Sequence, residues 1–242
     1  MTRETYAFGA SVRGPLHRKE GRPNEDAWLR EMGGFGALIV VCDGLGSRPQ
    51  ASDGSRAACL AVKEAVLRWS KVDCAPVSLL SHLIEVYWRL RIHPIKPCDA
   101  ATTCLLAFAA PNGSWLLGGI GDGLVVARTG AEVITVIGGD RDGFTNETNG
   151  LGVSSGPQDW SFVELLPTRQ DRMALLATDG VSEDLLPDRL GGFCDWLVSS
   201  TQFISAMNRW RWLVAELKNW PTPGHLDDKT VAVLRQPATG KD

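Results

Sequence analysis

Ala37-Leu38-Ile39-Val40-Val41-Cys42-Asp43-Gly44-Leu45-Gly46 is the stretch from which the rest of the chain is read. Six apolar residues without a polar break form a buried strand. An aspartate closes the strand, and two glycines turn the chain. Beyond Pro49, apolar positions at Ala58, Ala61, Val62, Ala65, Val66 and Trp69 recur at helical spacing. A second helix follows Pro76, carrying Leu79, Leu80, Leu83, Ile84, Tyr87 and Leu90. Before the opening stretch, Tyr6 to Val12 and Ala27 to Met32 read as strands. After the helices come strands at Thr102 to Phe108, Trp115 to Ile120, Leu124 to Arg128 and Val133 to Ile137. Tight glycine turns separate them, which favours antiparallel pairing. Phe162 to Leu166 and Met173 to Ala177 are two more strands. Helices near Leu190 to Val198 and Phe203 to Trp220, then a strand at Thr230 to Leu234, complete the order.

Strict strand–helix alternation is missing, which argues against a doubly wound parallel sheet. Segregated strands and helices predict an α+β fold. Two antiparallel sheets stacked as a central β-sandwich, with a helix pair outside each, would bury every apolar face. A single domain over residues 1–242 is expected.

Composition narrows the function classes. The 242 residues carry 25 Lys+Arg and 28 Asp+Glu, a net charge of −3. That balance gives no basic surface for nucleic acid. No apolar run approaches the roughly 20 residues needed to span a bilayer. Met1 to Thr5 lacks the apolar stretch of a signal peptide, so a cytoplasmic protein with no membrane contact is expected. The six cysteines form no C-x-x-C pair and read as buried thiols. Trp210, Trp212 and Trp220 read either as helix packing or as a partner surface.

The acids carry more information. Asp26 precedes a strand. Asp43, Asp122 and Asp179 each follow a strand and precede a glycine, and Asp227 and Asp228 precede the last strand. One Asp-Gly pair is ordinary turn chemistry. Acids at the ends of so many strands point to one cleft if the sheets align those ends. Converging carboxylates repel unless a cation lies between them. Oxygen donors without a Cys or His cluster suit Mg²⁺ or Mn²⁺. Two such ions about 3.5–4 Å apart can activate a shared water for attack on phosphorus.

Six segments then share an order with a known family. They are Asn24-Glu25-Asp26; Val41 to Ser47 with Gly54-Ser55; Ala101-Thr102-Thr103; Ile120-Gly121-Asp122-Gly123; Ala177-Thr178-Asp179-Gly180-Val181; and Asp227 to Val233. The chain resembles the metal-dependent serine/threonine phosphatases of type 2C, the PPM family. Phe144 to Thr148 resembles a feature of its compact bacterial branch. The resemblance implies a β-sandwich flanked by helix pairs. It implies that Asp43 and Asp179 are catalytic, Asp43 bridging two metals and Gly44 lending its carbonyl. Asp179 and Asp227 would hold the first ion, and Asp26 with Glu25 the second. Asp122 matches a position that recruits a third metal in some members. Asp228 stands where many relatives have Asn.

Two departures bear on the chemistry. The family's phosphate-gripping arginine lies five residues before the position of Asp26, where this chain has Gly21; Arg22 is the nearest candidate, with Arg13 and Arg18 behind it. Leu45 stands where animal members carry a histidine proposed as general acid. The loop from Gly14 to Arg22 is basic and suits an anionic phosphopeptide, with His17 read as a solvated loop residue. His225 reads as an ordinary loop histidine. Gly152, Ser154 and Ser155 fall where the family has a flap over the cleft. The expected activity is Mn²⁺- or Mg²⁺-dependent hydrolysis of phosphoserine or phosphothreonine in proteins of a serine/threonine kinase pathway. The alternatives are a non-catalytic phosphoprotein-binding scaffold and a phosphatase of small phosphoesters.

Overall fold

A computed structural model describes residues 5–138, 149–153, 156–222 and 225–238. Its strands are β1 (Tyr6–Val12), β2 (Asp26–Gly33), β3 (Gly36–Asp43), β4 (Cys104–Ala109), β5 (Trp115–Ile120), β6 (Leu124–Thr129), β7 (Glu132–Ile137), β8 (Ser161–Leu165), β9 (Arg172–Ala177) and β10 (Lys229–Gln236). Its helices are α1 (Pro15–Glu20), α2 (Ala51–Trp69), α3 (Val77–Ile92), α4 (Asp179–Ser182), α5 (Leu190–Thr201) and α6 (Ala206–Lys218). One sheet has the order β1-β10-β9-β6-β7 and the other β2-β3-β4-β5-β8, all pairs antiparallel. The expected α+β sandwich is therefore the observed one. No helix among the described residues is long and apolar enough to cross a membrane.

The unbroken apolar run in β3 follows from its place in the layers. Side chains alternate between the faces of a strand. Ile39 and Val41 face the other sheet, meeting Leu105, Val125, Leu176 and Leu234. Leu38, Val40 and Cys42 face outward and are covered by α2 and α3 through Ala58, Val62, Leu80, Ile84 and Trp88. Both faces are dry, so neither can carry a polar residue. Each fully buried aliphatic side chain stabilises the fold by about 1.5–3 kcal/mol. The other sheet is covered by α5 and α6, where Cys194, Leu197, Leu213 and Leu217 meet Phe8, Val126, Leu175 and Val233.

Helix α2 sits close to its neighbours because its inward stripe is small. A Cβ on Gly54 would lie 1.8 Å from the Ala100 carbonyl oxygen. Trp88 Nε1 donates to Gly54 O at 3.1 Å, and Ser55 Oγ donates to Glu25 O at 2.5 Å. The helix is thereby tied to the start of β2. Gly54→Ala forces backbone apart there and is expected to cost about 1–3 kcal/mol or more, read as a lower urea midpoint.

Two boundaries differ from the sequence expectation. The Gly14–Arg22 stretch is not a loop: Pro15 opens α1 and Gly21, at φ 71°, closes it in the left-handed conformation. Six residues are too few for an apolar period to register, although Pro at the start and Gly past the end mark a helix. The last helix starts at Ala206, not Phe203, because Ser205 caps it, its Oγ accepting from Asn208 N.

Candidate active site

Antiparallel register sets Asp26, the first residue of β2, directly opposite Asp43, the last of β3. On the facing sheet, β9 ends at Ala177 beside Val231 of β10 and Leu124 of β6. Asp179 follows β9, Asp227 precedes β10, and Asp122 sits in the β5–β6 turn, so all arrive at one end of the sandwich. Gly121 and Gly123 flank Asp122 at φ 104° and 102°, a conformation that side chains rarely adopt. A cleft of about 520 Å³ results, lined by Glu25, Asp43, Gly44, Asp122, Asp179 and Asp227, with Arg22, His17 and Arg48 at its wall. Asp26 lies beneath the lining, 5% exposed.

The Ala101-Thr102-Thr103 segment holds Asp43 by its main chain. Asp43 N donates to Thr103 Oγ1 at 2.9 Å, and Asp43 O accepts from Thr103 N and Thr102 Oγ1, both at 2.8 Å. Gly44 is required beside it, since a Cβ would lie 2.4 Å from Ala51 O. The Asp26 carboxylate is held by hydroxyls: Oδ2 accepts from Thr178 Oγ1 at 2.9 Å and Thr230 Oγ1 at 2.6 Å. Its other oxygen, Oδ1, is buried with no partner among the described residues.

The acids resist ionisation together. Burial pushes Asp26 up to about 8, with Asp228 and Asp179 adding repulsion and the two threonines opposing it. Burial, then repulsion from Asp26, Asp179 and Asp227, holds Asp43 well above the usual carboxylate range. Asp179 is raised by burial and by Asp227 and Asp122, against its hydrogen bond with Asp43. A cation among them would favour the ionised forms and give Asp26 Oδ1 a partner. The donor set is all oxygen and fits a hard divalent ion.

Asp228 does something different. It is 2% exposed, and its carboxylate accepts from Gly14 N at 2.6 Å, Glu25 N at 2.6 Å and His17 Nδ1 at 2.9 Å. It straps α1 and β2 to β10. His17, Asp227 and Asp228 offer donor atoms within 4.8 Å of one another. The Asp228 bonds to two backbone amides and His17 make this group a strap first.

A family model described as Protein phosphatase 2C matches residues 13–220. The chain belongs to this family. No curated protein matches it by sequence. Among solved structures it is similar to the PPM Ser-Thr phosphatase MsPP from Mycobacterium smegmatis, crystallised with cacodylate: 18% identity, TM-score 0.62, covering 97% of this chain and 98% of that one. The catalytic domain of serine threonine protein phosphatase PstP, crystallised with 2 manganese ions, has 17% identity and TM-score 0.61, covering 95% and 97%. RsbX, crystallised with magnesium, has 14% identity and TM-score 0.59, covering 97% of this chain and 98% of that one. At these identities the likeness is one of fold.

Within this phosphatase 2C chain, the acids expected from sequence do converge, but the basic residues behave otherwise. Arg22 Nη2 donates to both Glu25 oxygens, at 2.8 and 3.0 Å, and to Gly46 O at 2.6 Å. Burial raises Glu25 while Arg22 pulls it down. Arg13 and Arg18 turn away, bonding Arg22 O and Arg13 O. His17 is not a solvated loop residue; it is 6% exposed and held by Asp228. His225 bonds Asp184 Oδ2 at 3.0 Å, off the cleft wall. Trp212 packs on Trp196 and Trp220 on Phe193, leaving Trp210 exposed, so the three form no common surface. Phe144 to Thr148, Ser154 and Ser155 lie outside the described residues. Sequence reading missed Thr230 and Arg48: nothing local marks a hydroxyl as a partner for an acid two hundred residues away.

Proposed function

We propose that this chain is a divalent-metal-dependent phosphatase acting on phosphoserine and phosphothreonine in proteins of a serine/threonine kinase pathway. The unpartnered Asp26 Oδ1, beneath acids that cannot all ionise alone, is the observation that carries this reading. Asp43, Asp179 and Asp227 would hold one ion, and Asp43 and Asp26, with Glu25 nearby, a second, with the Gly44 carbonyl serving one of the two; Asp122 stands at the rim for a third. When bound, such ions supply Lewis acidity that activates a water and draws charge from the phosphoryl oxygens. The protein's part is placement. Thr102 and Thr103 fix Asp43 by its backbone, and Thr178 and Thr230 fix one oxygen of Asp26 so that the other points free. Leu45 carries no proton, so the leaving alkoxide takes one from solvent. The magnesium and manganese in the RsbX and PstP crystals support the choice of ion. The family match over 13–220 and the pairing of β1 with β10 support one catalytic domain.

The test is a Mn²⁺ titration of activity on a phosphopeptide panel and on small phosphoesters. Activity is expected to need added metal, to vanish with EDTA, and to prefer phosphopeptides. It is expected to survive iodoacetamide: Cys42, Cys59, Cys104 and Cys194 are buried, and burial pushes Cys42 and Cys194 up, away from the reactive thiolate. Cys74 and Cys98 are exposed but do not line the cleft. Loss of activity on alkylation of folded, metal-loaded protein would overturn the reading without a protein nucleophile. Turnover of small phosphoesters alone would move the substrate class.

A further inference from the structure

Two guanidinium groups reach the cleft, those of Arg22 and Arg48. Arg22 is committed: its Nη2 meets Glu25 and Gly46 O, and its Nη1 lies 3.6 Å from Glu20. Arg48 is not. Among the described residues its side chain makes no hydrogen bond or ion pair, and its Nε is buried without an acceptor. A guanidinium is always charged, and a buried donor left unpaired is costly. The fold nevertheless holds Arg48 in place. Its backbone N donates to Leu45 O at 2.8 Å, and its carbonyl accepts from Ala51 N at 3.4 Å. On either side, Leu45 N donates to Ala101 O at 3.0 Å and Gln50 N to Asp99 O at 2.9 Å. Pro49 restricts the backbone further. A stiff turn thus presents an unpaired cation at the wall of a cleft that also carries the carboxylates of Glu25, Asp43, Asp122, Asp179 and Asp227.

We propose that Arg48 grips the phosphate of the substrate, its two terminal nitrogens, which are not buried, donating to two non-bridging oxygens. The planar fork matches those oxygens, and the phosphate supplies the anionic partner that this guanidinium lacks. Arg22 is then a latch that holds Glu25 and the Gly46 turn, and the role expected of it from sequence passes to Arg48. This assignment rests on the phosphatase reading above.

The experiment measures binding of inorganic phosphate to Mn²⁺-loaded protein by calorimetry, alongside phosphopeptide kinetics and Mn²⁺ affinity. Arg48→Ala is expected to weaken phosphate binding and raise KM about tenfold or more, as loss of charge-assisted hydrogen bonds does, with Mn²⁺ affinity unchanged. Arg48→Lys should recover only part, because an ammonium lacks the fork. Arg22→Ala should disturb Mn²⁺ affinity or thermal stability more than phosphate binding. Wild-type phosphate binding by Arg48→Ala would overturn the proposal. So would a larger phosphate defect in Arg22→Ala at unchanged Mn²⁺ affinity, or no phosphate binding by the wild type. Phosphate binding that depends on Arg48 in a protein that hydrolyses no phosphoester would sink the phosphatase reading and leave the grip standing.

Discussion

Asp43→Asn is expected to lower turnover of a phosphopeptide about a thousandfold or more at saturating Mn²⁺, a barrier increase of roughly 4 kcal/mol. The fold should survive. The clamp on this residue runs through its main chain to Thr102 and Thr103, which an amide side chain leaves untouched. The metal-free variant should melt higher than the metal-free wild type, because one member of a group in mutual repulsion with Asp26, Asp179 and Asp227 has lost its charge. Activity above about a tenth of wild type, a barrier change under roughly 1.4 kcal/mol, would remove Asp43 from the centre of the mechanism.

The second large effect is the pH dependence of the metal-free protein. Asp26 titrates near 8 in the fold and near 3.9 when unfolded. Between those values the folded state holds a proton that the unfolded state has released. Stability therefore falls as pH rises, by up to about 1.4 kcal/mol per pH unit for this one group. Asp43 and Asp179, both raised, act in the same direction. The stabilisation is full below about pH 4 and is lost as pH climbs through 8. Saturating Mn²⁺ should remove or reverse the slope, because metal binds the deprotonated forms. Urea unfolding of EDTA-treated protein at several values between pH 5 and 8 reads the sign. A metal-free protein that grows more stable across that interval would show that these acids are not crowded.

What could be read in advance divides along a physical line. Strands such as Tyr6–Val12 and Trp115–Ile120 were legible because their apolar runs end at turn residues. The same holds for the acids at strand ends, since a strand followed by Asp-Gly is a local pattern. Partnership was not legible. That Asp26 faces Asp43 follows from register, which depends on which strands pair, and the contact between His17 and Asp228 spans 211 positions. Sequence position marked Arg22 first, with Arg13 and Arg18 behind it, and passed over Arg48. Only the positions of Glu25 and the Gly46 carbonyl separate a committed guanidinium from an open one. Helix α1 was missed because fewer than two turns give no period to detect.

The pairing of β1 with β10 also fixes when the protein becomes itself during synthesis. The ribosome delivers Glu25 and Asp26 about two hundred residues before Asp228, Thr230 and the strand that β1 needs. At about 5–20 residues per second, the first strand waits roughly 10–40 seconds for its neighbour. For that interval the acidic end of β2 has neither its hydroxyl donors nor its strap, and the cleft cannot assemble. A chain cut before β10 therefore lacks the strand, the strap and the hydroxyl donor that complete the acidic cleft.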